Sequence, residues 1–422
     1  MIDMPSLHTR SCALFCARKI GVEDVCVMTL NTLSQSVFFH LRVVYHGKSA
    51  WWMRFDWLCC SALVLATSPS PQMTANAPPS TATSTDPRSI CDRYGDETYA
   101  KMRDDEERTS AYEAAIAAMA PGRVCLDIGT GALALLALAA ARSGARHVYA
   151  IEANPDAAAA ARSAVKDAGM ESVITIVEGY STDVTLPEPV DLLLHEILGE
   201  VAGAEGVVRA VTDAAARHLA PDARAPLSVP HRARSLIAPA EFPPPEYFSS
   251  LPFPMLAAPG ATSLKLPSLP RSTLLADAAT FEDLAFDRAA PAASHDVSLA
   301  FVPSRDGELR GLAVHIEVEM MEGGVVRGDS SSASSTTPRP PDEGAVDISS
   351  ARSGSHWPNV LLLLPSPVEV RAGAERILVR CRTELGSERP SYTFEVRMAS
   401  GAVAAGSDSD EGVLLGTLTY PE

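Results

Sequence analysis

The stretch LDIGTG (Leu126–Gly131) places two glycines, Gly129 and Gly131, behind an apolar run and ahead of an Ala/Leu-rich one. Such glycines let a strand-to-helix turn close tightly and approach a ligand with no Cβ in the way. The next strand ends at Glu152, 21 residues beyond Gly131. A carboxylate there can accept hydrogen bonds from both ribose hydroxyls of a nucleoside. Two nucleoside ligands fit, a dinucleotide and S-adenosylmethionine. Asp127, just ahead of the turn, would repel a pyrophosphate and attract an ammonium group, so these residues favour the methyl donor.

A turn of this kind needs a parallel sheet to carry it. Short apolar runs at Val124–Ile128, His147–Ile151, Val173–Val177 and Val190–His195 alternate with Ala-rich stretches at 132–142 and 156–168. Strands alternating with helical stretches imply βαβ units, hence a parallel sheet covered on both faces. The reading is an α/β Rossmann-like domain over residues 91–228, preceded by a helix over Asp96–Met119 that Gly122 breaks. After Pro230, prolines become frequent and the apolar runs turn short and alternating: Val314–Met320, Val360–Leu364, Ile377–Cys381, Tyr392–Met398 and Val413–Tyr420. A period of two belongs to half-buried strands, so residues 229–422 read as an antiparallel β domain, barrel or sandwich. Within it, Gly323–Gly354 is polar and rich in breakers, which predicts a mobile surface loop.

Residues 1–90 show no sustained period and end in a Pro/Ser/Thr/Ala-rich stretch, which predicts a poorly ordered extension and linker. Met53-Arg54 followed by Trp57–Ala66 has a poor charged region and cleavage site for a signal segment. The longest apolar run, Trp57–Thr67, falls far short of the ~20 residues of a spanning helix, so no membrane partner is expected. With 35 Lys+Arg against 52 Asp+Glu, the chain carries a formal charge of −17. That balance opposes direct phosphate-backbone binding and suits a basic protein partner. Six of the eight cysteines (Cys12, Cys16, Cys26, Cys59, Cys60, Cys91) fall in the first 91 residues, leaving Cys125 and Cys381. This is neither a disulfide framework nor zinc spacing, so no metal is expected and the thiols read as reduced, in a cytoplasmic or nuclear setting.

Four further motifs give the chain a resemblance to the protein arginine methyltransferase family over roughly residues 94–420. Ahead of the glycine turn, Tyr99, Met102, Asp105 and Arg108 stand in the arrangement Y-A-x-M-x-x-D-x-x-R, which is similar to the family's first signature. On their own, Asp105 and Arg108 would read as an i,i+3 surface pair. In LLHEILGEVAGAEGVV, Glu196 and Glu205 lie nine residues apart, like the family's double-glutamate loop. SHWPNV, with His356 and Trp357, resembles the Thr-His-Trp loop, and GYSTDVTLP, with Thr182, also matches.

The resemblance implies that Tyr99, Met102 and Thr182 border the S-adenosylmethionine, that Arg108 takes its carboxylate, and that Asp127, Gly129, Gly131 and Glu152 complete its site. It implies that Glu196 and Glu205 grip a substrate guanidinium by charge-assisted hydrogen bonds. His356 would then meet Asp105 in a carboxylate–imidazole pair, folding the β domain back against the catalytic pocket. The implied activity is S-adenosylmethionine-dependent methylation of arginine in protein substrates. The chain departs from the family at Leu133, where a glycine is common, and at His195, where a serine is usual. It also departs at 242–270, Pro-rich where the family has a helical dimerisation arm, so a homodimer is open. Glu200, off the spacing of the pair, reads as solvated. Two rivals remain: a methyltransferase for another acceptor, and a non-catalytic scaffold that binds cofactor or arginine-rich segments.

Overall fold

The structure, a computed structural model, describes residues 96–250, 261–287, 291–322, 347–352, 354–387, 389–400 and 412–421, together with the backbone of four earlier strands. Those strands, β1 (Cys12–Leu14), β2 (Cys26–Leu33), β3 (Ser36–Val43) and β4 (Trp51–Asp56), pair in sequence order as an antiparallel sheet in a unit of their own. The Pro/Ser/Thr-rich linker expected up to residue 90 lies outside the described residues.

The second unit begins with α1 (Asp96–Asp104) and α2 (Glu106–Met119). The sequence suggests one helix here, and the chain breaks it at Asp105. That side chain accepts the Arg108 N–H at 3.1 Å and caps α2, an alternative to continued helix that aspartate offers the backbone. Next come β5 (Val124–Ile128), α3 (Leu135–Arg142), β6 (His147–Glu152), α4 (Pro155–Asp167), β7 (Ile174–Glu178), β8 (Leu192–His195), α5 (Val207–His218) and β9 (Ser228–Val229). Asn154 caps α4 through the N–H groups of Asp156 and Ala157, with Pro155 at its first turn. All five strands are parallel, in the order β7-β6-β5-β8-β9. Every residue of β5 is buried, as a central parallel strand requires. The strand order reverses between β5 and β8, and a ligand crevice opens beyond the carboxyl ends of strands at such a point.

Two antiparallel sheets follow. One contains β10 (Arg232–Ala240), β11 (Ser263–Leu266), β12 (Ala279–Ala285), β14 (Gly307–Glu319), β15 (Ile348–Ser349) and β16 (Asn359–Val370), with α6 (Pro245–Ser250) between β10 and β11. The other runs β13-β17-β18-β19: β13 (Ser294–Phe301), β17 (Glu375–Glu384), β18 (Ser391–Ser400) and β19 (Val413–Tyr420). Among the described residues no ladder joins the two sheets into a closed barrel. One hydrophobic core runs from Tyr112 and Leu194 of the α/β part through Phe281 and Phe286 to Phe394.

Residues 347–350 and Arg352, which composition assigns to a mobile loop, are instead held by the rest of the structure, while Ala351 and Gly354 are exposed. β15 pairs with β14, Ile348 and Ser350 are buried, Ser350 Oγ accepts the Ile316 N–H at 2.9 Å, and Asp347 accepts that of Met320 at 2.7 Å. The remainder of that stretch, 323–346 and 353, lies outside the described residues. Among the described residues no helix is long and apolar enough to cross a membrane.

Candidate active site

The reversal between β5 and β8 opens into a cleft, about 850 Å³ with its solvent-filled mouth included. Tyr99, Met102, Arg108, Gly129, Gly131, Leu133, Glu152, Glu196 and Glu205 all contribute to its walls, so both predicted constellations face one space. Gly129 and Gly131 have φ of 72° and 68°, a region that favours glycine. A Cβ on Gly131 would lie 2.8 Å from the Tyr99 ring, and one on Gly129 would lie 2.8 Å from Ile197, so both the backbone conformation and the space call for glycine. Glu152 accepts the Gly131 N–H at 2.8 Å and the Asn154 N–H at 2.9 Å. Each carboxylate oxygen keeps lone-pair capacity for a ligand hydroxyl.

Asp127 is fully buried and stands behind the turn rather than in the cleft wall. One of its oxygens accepts the Thr130 hydroxyl at 2.6 Å and the Ala137 N–H at 3.1 Å, while Oδ1 has no partner. Burial pushes its carboxyl up to about 7. Its direct work is therefore to shape the turn. Thr182 is also absent from the cleft wall, and its hydroxyl lies 3.5 Å from Asp183. Leu133 occupies the wall where a third glycine would have left open backbone.

Asp105, the cap of α2, is 3% exposed and is a hub of donors. It accepts His356 Nδ1 at 3.0 Å, the His356 backbone N–H at 3.0 Å, the Arg108 N–H, and the guanidinium of Arg352. The expected pairing of Asp105 with His356 is present. Burial alone would raise this carboxyl, but the donors from His356, Arg352 and Arg108 override it and hold it well below the usual range. His356 Nε2 faces Glu196 at 3.4 Å, within charge attraction though without a formed hydrogen bond. Glu196 also takes Arg108 Nη2 at 2.9 Å, both side chains being under 10% exposed, and the Arg108 guanidinium lies 5.2 Å over the Tyr112 ring. Burial works to raise the Glu196 carboxyl too, and the charge of Arg108, aided by His356, keeps it low.

This places a pH signature on His356. Burial lowers an imidazole pKa, yet the hydrogen bond to Asp105 and the nearby Glu196 carboxylate raise it above its ordinary 6.5. A raised folded value means stabilisation that is complete below pH 6.5 and is lost as pH rises through the folded value. Asp105 shifts the other way, so its contribution is present above 3.8 and fades only as pH falls through its depressed value. Denaturant titrations of the wild type should therefore show a loss of stability as pH rises above 6.5 that His356→Gln lacks. Equal alkaline slopes in the two proteins would mean that His356 carries no charge.

The segment between Glu196 and Glu205 has no regular structure and is held at several points. Trp357, 3% exposed, donates its indole N–H to the Leu198 carbonyl at 2.9 Å. Glu200 is not solvated: its side chain is 18% exposed, pairs with Lys265 of β11 and accepts the Tyr420 hydroxyl at 2.8 Å. Burial pushes the Glu200 carboxyl up and Lys265 pulls it down, with a net lowering. Ala202 and Gly203 donate their N–H groups to Ser235 and Glu282. His195 is fully buried against Phe286, its ring nitrogens have no partners, and burial drives its pKa to about 3, so a neutral ring fills that space.

Sequence reasoning missed Arg352, Tyr112, Ser235, Glu282 and Tyr392. Only Arg352 carried a usable signal, its closeness to SHWPNV. Cys125 and Cys381 are free and buried, and burial pushes each thiol to about 12, so neither is a nucleophile. No group of three or more His, Cys, Asp or Glu able to hold a metal occurs among the described residues.

Residues 110–229 match the family model of ribosomal protein L11 methyltransferase (PrmA). An arginine N(omega)-methyltransferase of Streptomyces achromogenes subsp. streptozoticus is 30% identical over 289 residues, covering 65% of this chain and 73% of that protein. Protein arginine N-methyltransferase PRMT10 of Oryza sativa subsp. japonica is 35% identical over 142 residues, only 36% of its length. Two solved structures share the fold. The Trypanosoma brucei PRMT1 enzyme-prozyme heterotetrameric complex with AdoHcy gives a TM-score of 0.56 at 22% identity, covering 77% of this chain and 99% of that one. Arabidopsis thaliana protein arginine methyltransferase 10 gives 0.57 at 20% identity, with 76% and 96% covered.

Proposed function

The chain belongs to the protein arginine methyltransferase family, and from that premise we propose that it methylates arginine side chains of protein substrates with S-adenosylmethionine as donor. One observation carries the acceptor half of this reading. The carboxylate of Glu196 already receives a guanidinium, that of Arg108, at 2.9 Å, beside the glycine turn and within a wall shared with Glu205. The donor half rests on a strand-to-helix turn with Gly129 and Gly131 at positive φ, on Glu152 beside it, and on the cationic Arg108. These residues fit the donor, which supplies an electrophilic methyl on sulfonium. Arg108 would hold its carboxylate through a planar, permanently charged fork, and Glu152 would accept its ribose hydroxyls.

Glu196 and Glu205 then do the orienting. A guanidinium is a poor nucleophile because its lone pairs are delocalised and its charge persists at neutral pH. Two carboxylates fix its plane, localise charge on the nitrogens they touch and leave one terminal nitrogen to face the methyl group. The proton released after transfer passes to a carboxylate. His356, with Nε2 3.4 Å from Glu196, holds that carboxylate in place and, when protonated, steadies its negative charge. Most of the rate enhancement on this reading is orientation and preorganised charge.

The test is incubation with methyl-labelled donor and an arginine-rich peptide, followed by amino-acid analysis. Label in methylarginine supports the reading, and label absent or on another residue rejects it. A parallel arm with free arginine is warranted because the Streptomyces relative is named for arginine itself. Label confined to that arm would replace protein substrates by the amino acid. For the donor half, Glu152→Ala should weaken S-adenosylhomocysteine binding by about 1.5–3 kcal/mol, the scale of hydrogen bonds to a charged group. Calorimetry with no loss of affinity would separate Glu152 from the donor.

A further inference from the structure

Beneath the segment joining Glu196 and Glu205 lies a buried carboxyl group that the chemistry above does not use. Glu282 of β12 is 1% exposed. Its Oε1 accepts the Tyr392 hydroxyl of β18 at 2.8 Å, and its Oε2 accepts the Ser235 hydroxyl of β10 at 2.5 Å and the Gly203 N–H at 3.2 Å. Ser235 in turn accepts the Ala202 N–H at 2.9 Å. Two consecutive amides of an irregular segment thus end on one network drawn from both antiparallel sheets. Burial pushes the Glu282 carboxyl up, and hydrogen bonds from Ser235, Tyr392 and Gly203 oppose the rise without a cation.

Leaving a buried carboxyl in a core is costly unless its donors are arranged for it. Here the donors include the loop backbone itself. The approach is close enough to dictate a residue type: a Cβ on Gly203 would sit 2.6 Å from Glu282 Oε1 and 2.7 Å from the Tyr392 oxygen. Gly203 also lies between the two carboxylates that grip the guanidinium on the reading above, seven residues after Glu196 and two before Glu205. The network therefore fixes where the middle of that segment stands, and through it how the two ends present their carboxylates. The donor cleft wall contains none of Ser235, Glu282 or Tyr392.

We infer that Glu282 is a positioning residue for the acceptor: with Ser235 and Tyr392 it seats the Ala202–Gly203 backbone and thereby sets the Glu196 and Glu205 carboxylates for a guanidinium, leaving donor binding alone. This rests on the proposed arginine chemistry. The experiment uses the full chain with Glu282→Ala, Glu282→Gln and Gly203→Ala. Hydrogen exchange of residues 196–206, calorimetry with S-adenosylhomocysteine, and KM and kcat for an arginine-rich peptide are measured on each.

Glu282→Ala should speed exchange in 196–206 and raise peptide KM by about tenfold or more, the loss of one to two hydrogen bonds at a buried group, with donor affinity within about twofold. Glu282→Gln should restore most of the KM, because its carbonyl can accept Ser235 and Gly203 while its amide donates to the Tyr392 oxygen. Gly203→Ala leaves Glu282 in place and should reproduce the Ala phenotype, which keeps the test decisive if Glu282→Ala fails to fold. Unchanged exchange and KM in Gly203→Ala, or donor affinity falling in step with KM, overturns the inference. A wild type that binds S-adenosylhomocysteine but methylates no arginine overturns the proposed function instead, and the exchange data still judge whether the network seats the segment.

Discussion

Glu196→Gln should lower arginine turnover by about 10²–10³-fold, the usual scale for deleting one preorganised charge contact, while donor affinity is retained. Gln keeps the size of the side chain and loses the charge, so the acceptor guanidinium meets a neutral amide whose NH2 group repels it. Donor binding should hold or tighten, since Arg108 no longer shares its charge with a carboxylate 2.9 Å away. Glu205→Gln should show the same split from the other end of the segment. Single-turnover methylation and calorimetry on the same preparations separate the two halves. Equal loss of both would make the pair structural.

The second large effect is on stability. Asp105→Ala removes the one carboxylate that caps α2, binds His356 through ring and backbone, and pairs with Arg352. Arg352, whose side chain is 18% exposed, would keep only the half-exposed Glu107 as a partner. Breaking a buried pair by removing one partner costs about 3–5 kcal/mol, and loss of a helix cap adds about 1 kcal/mol. Turnover should fall as well, because His356 loses the contact that aims its other nitrogen at Glu196. Denaturant titration checks the first effect. A loss under about 1 kcal/mol would show that the charges find water instead.

How much of this was legible in the sequence depends on where the determining partner lies. β5 is legible to the residue because a parallel strand buried on both faces is a nearly continuous apolar run, here VCLDI with Asp127 as its one polar member. β10 is not, since Arg232, Arg234 and Pro239 interrupt its pattern. Their reasons lie on neighbouring strands: Arg232 pairs with Asp283 of β12, and buried Arg234 lies 3.5 Å from Glu319 of β14. Glu200 failed for the same cause, as nothing local reveals that Lys265 and Tyr420 will cover it. Local chemistry sufficed for the glycine turn and Glu152. The meeting of Asp105, Glu196 and His356 needed a resemblance, because spacing along a chain does not encode contact between its ends. Arg352 sat in a stretch whose Ser/Gly composition argues for mobility, and only its pairing with Asp105 and Glu107 explains its order.

The ion pair between Arg108 and Glu196 makes the two substrates thermodynamically linked. One guanidinium serves two clients, the acceptor-side carboxylate and, on the proposed chemistry, the carboxylate of the donor. A donor that draws on this cation leaves Glu196 less compensated and so more attractive to an incoming arginine. By reciprocity an arginine seated on Glu196 frees Arg108 for the donor and tightens that binding by the same factor. On the proposed chemistry each substrate therefore promotes the binding of the other, and a complex that holds both is favoured over complexes that hold one.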